Sequence, residues 1–143
     1  TPGSVIEEPV MSTDFYPTIL EMIGEEGATP DGRSLVAALE GKPFERGPIY
    51  WHFPHYSNHG MQSPAGAIRD GDFKLIEYFE NGTLQLFNLR HDLGEQRDLA
   101  KSDPAKAREL QQKLSDWRTK VGARMMVPNP DYDPTAYPRP APR

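Results

Sequence analysis

Residues 50–60 read Y-W-H-F-P-H-Y-S-N-H-G and place three histidines, His52, His55 and His59, within eight positions. Imidazoles so close together could ligate a metal, shuttle a proton, or meet a ligand. A neutral ring donates one hydrogen bond and accepts another, and a protonated ring favours an anion. The H-x2-H-x3-H spacing invites zinc. Against zinc, Pro54 interrupts regular geometry between the first two rings, no carboxylate adjoins them, and strand alternation sends His52 and Phe53 to opposite sides. The expectation is no metal site. Two readings stay open: aromatic-like packing or plain polarity at a strand end, and a loop facing an oxyanion or a sugar hydroxyl.

Other candidate chemistry is thinner. Asp92 and Glu95, in N-L-R-H-D-L-G-E-Q-R-D-L-A, could be offered as an acid–base pair. They read better as turn and capping groups, because aspartate readily accepts from nearby backbone N–H groups where a strand passes into a helix. Asp31, Asp70 and Asp72 sit beside glycines or in turns for the same reason. The chain has no cysteine, which removes disulfides, thiolate metal sites and thiol nucleophiles together. It also has no glycine-rich phosphate loop, Ser-His-Asp signature or zincin helix. On residue chemistry alone, no catalytic set is complete.

The elements that must position the histidines can be read from periodicity. Residues 12–24, S-T-D-F-Y-P-T-I-L-E-M-I-G, predict a helix: Phe15, Ile19 and Ile23 recur every fourth residue beside Tyr16 and Leu20. Ser12 or Thr13 can cap it, Asp14 suits the positive end of its dipole, Pro17 is tolerable in the first turn, and Gly24 suits its end. A short helix follows, from a Ser34 cap to Gly41. From Pro48 the pattern changes to strands, with Pro48–Phe53 β-branched and aromatic. Residues 67–89 carry two hairpin signals, Asp70-Gly71 and Asn81-Gly82. A two-residue turn at Asn81-Gly82 would set Phe79 opposite Leu84 and Ile76 opposite Phe87, on opposite faces of an antiparallel meander. Both faces would then be apolar. One can be covered by a helix that starts at an Asp103 cap and Pro104 and carries Leu110, Leu114, Trp117 and Val121 on one stripe to about Gly122. The other needs a second cover. The proline-rich tail cannot form a long helix or a central strand; its composition is compatible with disorder, and the other reading is a tail lying along a surface.

The whole chain bounds these readings. At 143 residues it is one domain at most, or a piece of a larger one. A formal charge of −5 gives no basic field for nucleic acid, and no apolar run approaches the roughly 20 residues of a bilayer-spanning helix, so neither nucleic acid nor membrane is an expected partner. The start at Thr1-Pro2-Gly3, without an initiator methionine, is read as processing or a partial chain.

Taken together, several stretches resemble the C-terminal part of type I sulfatases, the arylsulfatase family of the alkaline-phosphatase-like superfamily. P-V-M-S-T-D-F-Y-P-T-I-L-E-M-I-G resembles the family's helix after its active-site strands, and D-G-R-S-L-V-A-A-L-E-G the segment that follows it. Residues 67–100 are similar to the family's R-x-G-x-[WYF]-K-L-I strand followed by L-[YF]-N-L-x-x-D-x-x-E-x-x-[ND]-L-A. The resemblance runs over about residues 9–134. It implies an α+β fold: a short antiparallel meander packed with a C-terminal amphipathic helix, preceded by helices from the edge of a large α/β sulfatase domain. The expected divisions are 1–47 for that edge, 48–125 for the C-terminal subdomain and 126–143 for the tail.

The resemblance further implies a parent that hydrolyses sulfate esters, with a sulfated sugar as substrate, a calcium ion, and a formylglycine made in a C/S-x-P-x-R motif. It implies a periplasmic or secreted parent. This chain has neither cysteine nor S-x-P-x-R, and Ser63-Pro64 continues into A-G-A-I-R instead. No catalytic residue, metal ligand or cofactor is therefore assigned here, and the chain alone is expected to be inactive. Its contribution would be a wall of the substrate pocket, with His55 the first substrate-binding candidate, then His52, with His59 and Asn58 after them. The partner of the uncovered sheet face would be the missing N-terminal sulfatase domain, or a second copy through self-association. A freestanding binding module and a related phosphate or phosphonate ester hydrolase are the alternative readings.

Overall fold

The computed structural model describes residues 3, 5–25, 27, 31–57 and 63–133. They fall into two compact units, Thr1–Pro48 and Ile49–Arg143.

In the first unit a single 3-10 turn, Ser12–Asp14, leads into α1, Phe15–Met22. Neither Ser12 nor Thr13 caps α1, because the 3-10 turn takes up both residues. Pro17 lies in the first turn, where its missing N–H breaks no helical bond. Gly24, at φ +74°, lets the chain leave the helix in the left-handed conformation. Asp14 is expected beside the helix dipole but instead is fully buried as a clasp. Its Oδ1 accepts from the Arg33 backbone N–H (2.9 Å) and an Arg46 terminal nitrogen (2.9 Å). Its Oδ2 accepts from the Met11 N–H (2.8 Å) and Arg46 Nε (3.1 Å). All of these oxygen–donor pairs saturate a charge that would otherwise be costly to bury. Gly32 passes so close to the Thr13 carbonyl that a Cβ there would collide with it. The short helix α2 spans Val36–Leu39, with Ser34 Oγ accepting from the Val36 N–H (3.3 Å). The α1 stripe does not pack inward: Phe15, Tyr16, Ile19, Met22 and Ile23 are each more than half exposed.

The second unit is a four-stranded antiparallel meander in the order β1-β2-β3-β4, formed by Ile49–Phe53, Ala65–Asp70, Phe73–Tyr78 and Leu84–Asn88. The first tight turn is Gly71-Asp72, since Asp70 still pairs with Phe73. The second connection corrects the predicted register. Glu77, not Phe79, pairs with Leu84, so Ile76 lies opposite Gln85, and Leu75 opposite Leu86. The cause lies partly outside the hairpin: Gly82 N–H closes on the Tyr78 carbonyl (2.9 Å), while Phe79 continues the β2–β3 register by donating its own N–H to the Pro64 carbonyl (2.9 Å). A slip of two residues keeps every side chain on its predicted face, so the two-faced sheet survives.

One face carries the core. Ile68, Leu75 and Leu86 pack against Ala107, Leu110 and Leu114 of α3, Pro104–Lys120. Each fully buried Leu or Ile contributes about 1.5–3 kcal/mol. Asp103 Oδ1 caps α3 by accepting from the Lys106 N–H (3.0 Å), and Pro104 opens it, as expected. Val121 lies at the helix end, half exposed, and Ala107 takes a core place that the predicted stripe omitted. The outer edge of β4 is closed by the following loop: Leu99 N–H donates to Leu86 O (2.7 Å), and Asp98 Oδ1 accepts from Leu86 N–H (3.0 Å). No helix among the described residues is long and apolar enough to cross a membrane.

Candidate functional site

Strand alternation and the observed pairing dictate what lies on the sheet face away from α3. Trp51, Ala67, Ile76 and Gln85 form one row across the strands, with Phe53, Ala65 and Tyr78 in the next. The alanines sit between large neighbours, and their missing bulk hollows the sheet. The result is an open cleft of about 840 Å³, lined also by Leu89, Leu93 and Glu95.

The polar lining of this cleft is sparse and mostly occupied. Tyr78 hydroxyl donates to Gln85 (2.9 Å), and Lys74 Nζ pairs with Glu95 (2.6 Å). Arg69 stands directly opposite Lys74 in the ladder, a like-charge pairing that the Glu95 carboxylate offsets only at Lys74. Arg69 Nε is buried and has no hydrogen-bond partner.

The histidines divide. His52 points with Tyr50 to the α3 side: its ring packs on Phe79 (5.4 Å between centroids), and Nε2 donates to the Arg124 carbonyl (2.8 Å). Gly66 makes room there, since a Cβ would press on the Phe79 ring at 3.1 Å. His52 thus has a partner inside the fold. His55 is exposed and meets Phe53 edge-on (5.5 Å, 87°), which sets it at the rim beside an aromatic ring of the cleft. Tyr56 ties the same loop to the β3–β4 connection by donating to Glu80 (2.7 Å), a bond that raises its phenol above the ordinary range. His59 and Asn58 lie outside the described residues.

The carboxylates behave as turn groups. Asp92 accepts from the Gln96 N–H (3.0 Å) and the Arg97 N–H (2.8 Å), and these two bonds lower its carboxyl below the usual range. Glu95 takes a left-handed backbone, φ 54°, and turns its side chain to Lys74. Among the described residues no three His, Asp or Glu side chains gather as a metal-binding group. Arg69 and Trp51 were not singled out from sequence. The signal that finds them is parity: residues 49, 51 and 53 share a face with 65, 67 and 69.

Comparison with known proteins adds the family context. The profile for N-sulphoglucosamine sulphohydrolase, C-terminal, matches residues 1–121. A sulfatase of Formosa agariphila is 29% identical over 157 residues, covering 97% of this chain and 28% of its own length. Among solved structures, a protein determined in complex with its substrate D-glucosamine-2-N,6-O-disulfate superposes with a TM-score of 0.64 at 26% identity, covering 76% of this chain and 24% of that one. A phosphonate monoester hydrolase from Silicibacter pomeroyi gives a TM-score of 0.62 at 26% identity, covering 84% and 27%. The chain therefore spans about a quarter of the length of these relatives, 24% to 28%.

Proposed function

The chain belongs to the sulfatase family, in its N-sulphoglucosamine sulphohydrolase C-terminal branch, and from that membership we propose that it is the C-terminal portion of an enzyme that hydrolyses sulfate esters of a carbohydrate. The observation that carries this reading is the family match across residues 1–121. The relative whose substrate is a sulfated glucosamine supports the carbohydrate class.

The family relationship implies calcium and formylglycine for the parent, and the residues here do not fit either. The chain contains no cysteine, and the buried carboxylate of Asp14 is saturated by four donors. Asp92 and Glu95 are likewise committed to local partners. In this reading the chemistry at sulfur belongs to the polypeptide that precedes this region, and the 143-residue chain alone is inactive. Its part is to form a wall of the pocket and to select the non-sulfated portion of the substrate, with His55 as the group best placed to reach a sugar hydroxyl. A site that hydrogen-bonds a hydroxyl rejects analogues lacking it far better than an apolar site does.

The test is kinetic and uses the full-length enzyme. His55→Ala should lower kcat/KM for a sulfated disaccharide more than for a small aryl sulfate; equal losses would remove His55 from substrate selection. One observation favours a second reading, the similarity to a phosphonate monoester hydrolase. Turnover of a phosphonate monoester in preference to any sulfate ester would transfer the assignment to that class.

A further inference from the structure

His55 sits in a short span held at both ends. Phe53, the last residue of β1, pairs with Ala65, and three positions later the Tyr56 hydroxyl donates to Glu80 Oε1 (2.7 Å). Between these anchors lie only Pro54 and His55. The proline ring fixes its own φ and keeps the preceding residue extended, so few backbone torsions are left to the histidine. Its placement against Phe53 then depends on whether the Tyr56 anchor holds. Glu80 is the better fixed half of that anchor. It lies in the β3–β4 connection, where Tyr78 N–H donates to Thr83 O (2.9 Å), Gly82 N–H to Tyr78 O (2.9 Å), and Asn81 Oδ1 accepts from the Thr83 N–H (2.9 Å). Phe79 N–H donates to Pro64 O (2.9 Å), so one turn ties the β1–β2 connection near both of its ends, at Tyr56 and at Pro64. Tyr56 is 62% exposed, and packing contributes little to its position. Its bond to a carboxylate is charge-assisted, stronger than one between neutral groups, and raises the phenol so that the donor keeps its proton.

We propose that Glu80 is a positioning residue for His55: by accepting from the Tyr56 hydroxyl it holds the imidazole at the rim of the cleft, and the side chain at position 80 thereby tunes the preference for a substrate that His55 reaches. The proposal rests on the role given to His55 under the sulfatase reading. Glu80 need not touch the substrate. Its influence comes through placement, since a group displaced by about 1 Å from its productive position loses much of its effect.

The test uses the full-length enzyme with isotope-labelled histidine rings, observed by NMR, the His55 signal being identified by its loss in His55→Ala. Tyr56→Phe and Glu80→Ala should each move that signal, because the imidazole shifts in the ring-current field of Phe53. Glu80→Gln, whose amide oxygen still accepts, should leave it close to wild type. On the same samples, Tyr56→Phe and Glu80→Ala should lower kcat/KM for a sulfated disaccharide several-fold, mainly through KM, with little change for a small aryl sulfate. Glu80→Gln should restore most of the loss, and Glu80→Ala added to His55→Ala should cost nothing further. The pair is exposed, so all of these variants should fold with thermal midpoints close to wild type. A His55 signal unmoved in both Tyr56→Phe and Glu80→Ala overturns the proposal. Where His55→Ala does alter the preference, equal losses for the two substrates, or losses that add to those of His55→Ala, overturn it as well. The role of His55 fails separately: a moved signal with an unchanged preference in His55→Ala sinks that role and leaves the placement by Glu80 supported. A preference lost in His55→Ala with an unmoved signal in Glu80→Ala sinks the placement alone.

Discussion

The Tyr50 ring lies flat against Trp117, centroids 4.8 Å apart and planes within 3°. This stack joins the edge strand β1 to the last turn of α3, beyond the point where Leu110 and Leu114 fill the central core. Burial, and secondarily the charge of Asp70, push the Tyr50 phenol above its ordinary range. Truncating Trp117 to alanine should cost about 3 kcal/mol, at the low end for a large aromatic because the ring is only partly buried. A double-mutant cycle with Tyr50→Ala should return about 1 kcal/mol of coupling. Denaturant unfolding of the four variants checks it, and strict additivity would mean that the stack adds nothing beyond area.

Asp14 and Arg46 form a bidentate pair in the first unit, 0% and 6% exposed. Asp14→Ala leaves a buried guanidinium and two backbone donors unpaired, and should destabilise by about 3–5 kcal/mol. Arg46→Lys should not restore the wild-type value, because an ammonium cannot present two parallel donors to both carboxylate oxygens. Equal thermal midpoints for Arg46→Lys and wild type would refute the geometric requirement.

On α3, Glu109 accepts from Lys106 (2.9 Å) and Lys113 (2.9 Å), and these bonds lower its carboxyl from 4.5 to about 2. Lys113 is in turn held above its ordinary range, first by Asp70 and then by Glu109. A depressed acid stabilises the fold above its unfolded value and loses that contribution as it protonates. The stability difference between wild type and Glu109→Gln should therefore be constant above pH 4.5 and shrink as pH falls toward about 2. The carboxylate is exposed, so salt should reduce the difference throughout. Acid unfolding followed by circular dichroism, at low and high ionic strength, measures both effects.

What could be read in advance followed the range of the interactions. The Asp103-Pro104 start and the Leu110–Leu114 spacing are local signals, and α3 forms where they place it. The meander and its two apolar faces follow from alternation, which tolerates the two-residue slip at β3–β4. The slip itself was illegible, because Asn81-Gly82 advertises a tight hairpin while Phe79 is drawn to Pro64, His52 and Gly66, residues from other strands and loops. Asp14 shows the same limit: its partner Arg46 is 32 residues away, and the helix-start position suggested a dipole role instead. At the candidate site, spacing drew attention to three histidines, whereas Arg69 became visible only when pairing set it opposite Lys74.

His52 and His55 are three residues apart and should respond to mutation in opposite ways. His52 Nε2 lies 2.8 Å from the Arg124 carbonyl, an acceptor only, so that nitrogen carries the proton and donates. The bond spans 72 residues and holds the segment after α3 against β1. His52→Ala deletes it together with the Phe79 contact, and should cost about 1–2 kcal/mol. His52→Phe would keep the ring contact and recover part of the loss. Backbone hydrogen exchange should quicken at Ala123, whose N–H donates to Arg118 O at 2.9 Å just before the tethered carbonyl. His55 is exposed, and its truncation should change stability by no more than about 0.5 kcal/mol. In the full-length enzyme the order should invert: His55→Ala should shift the preference between a sulfated disaccharide and a small aryl sulfate, and His52→Phe should leave that preference unchanged. The opposite pattern, with stability resting on His55 and selectivity on His52, would mean that the loop reaches its substrate through the His52 ring, and the division of roles drawn from the Arg124 bond would be wrong.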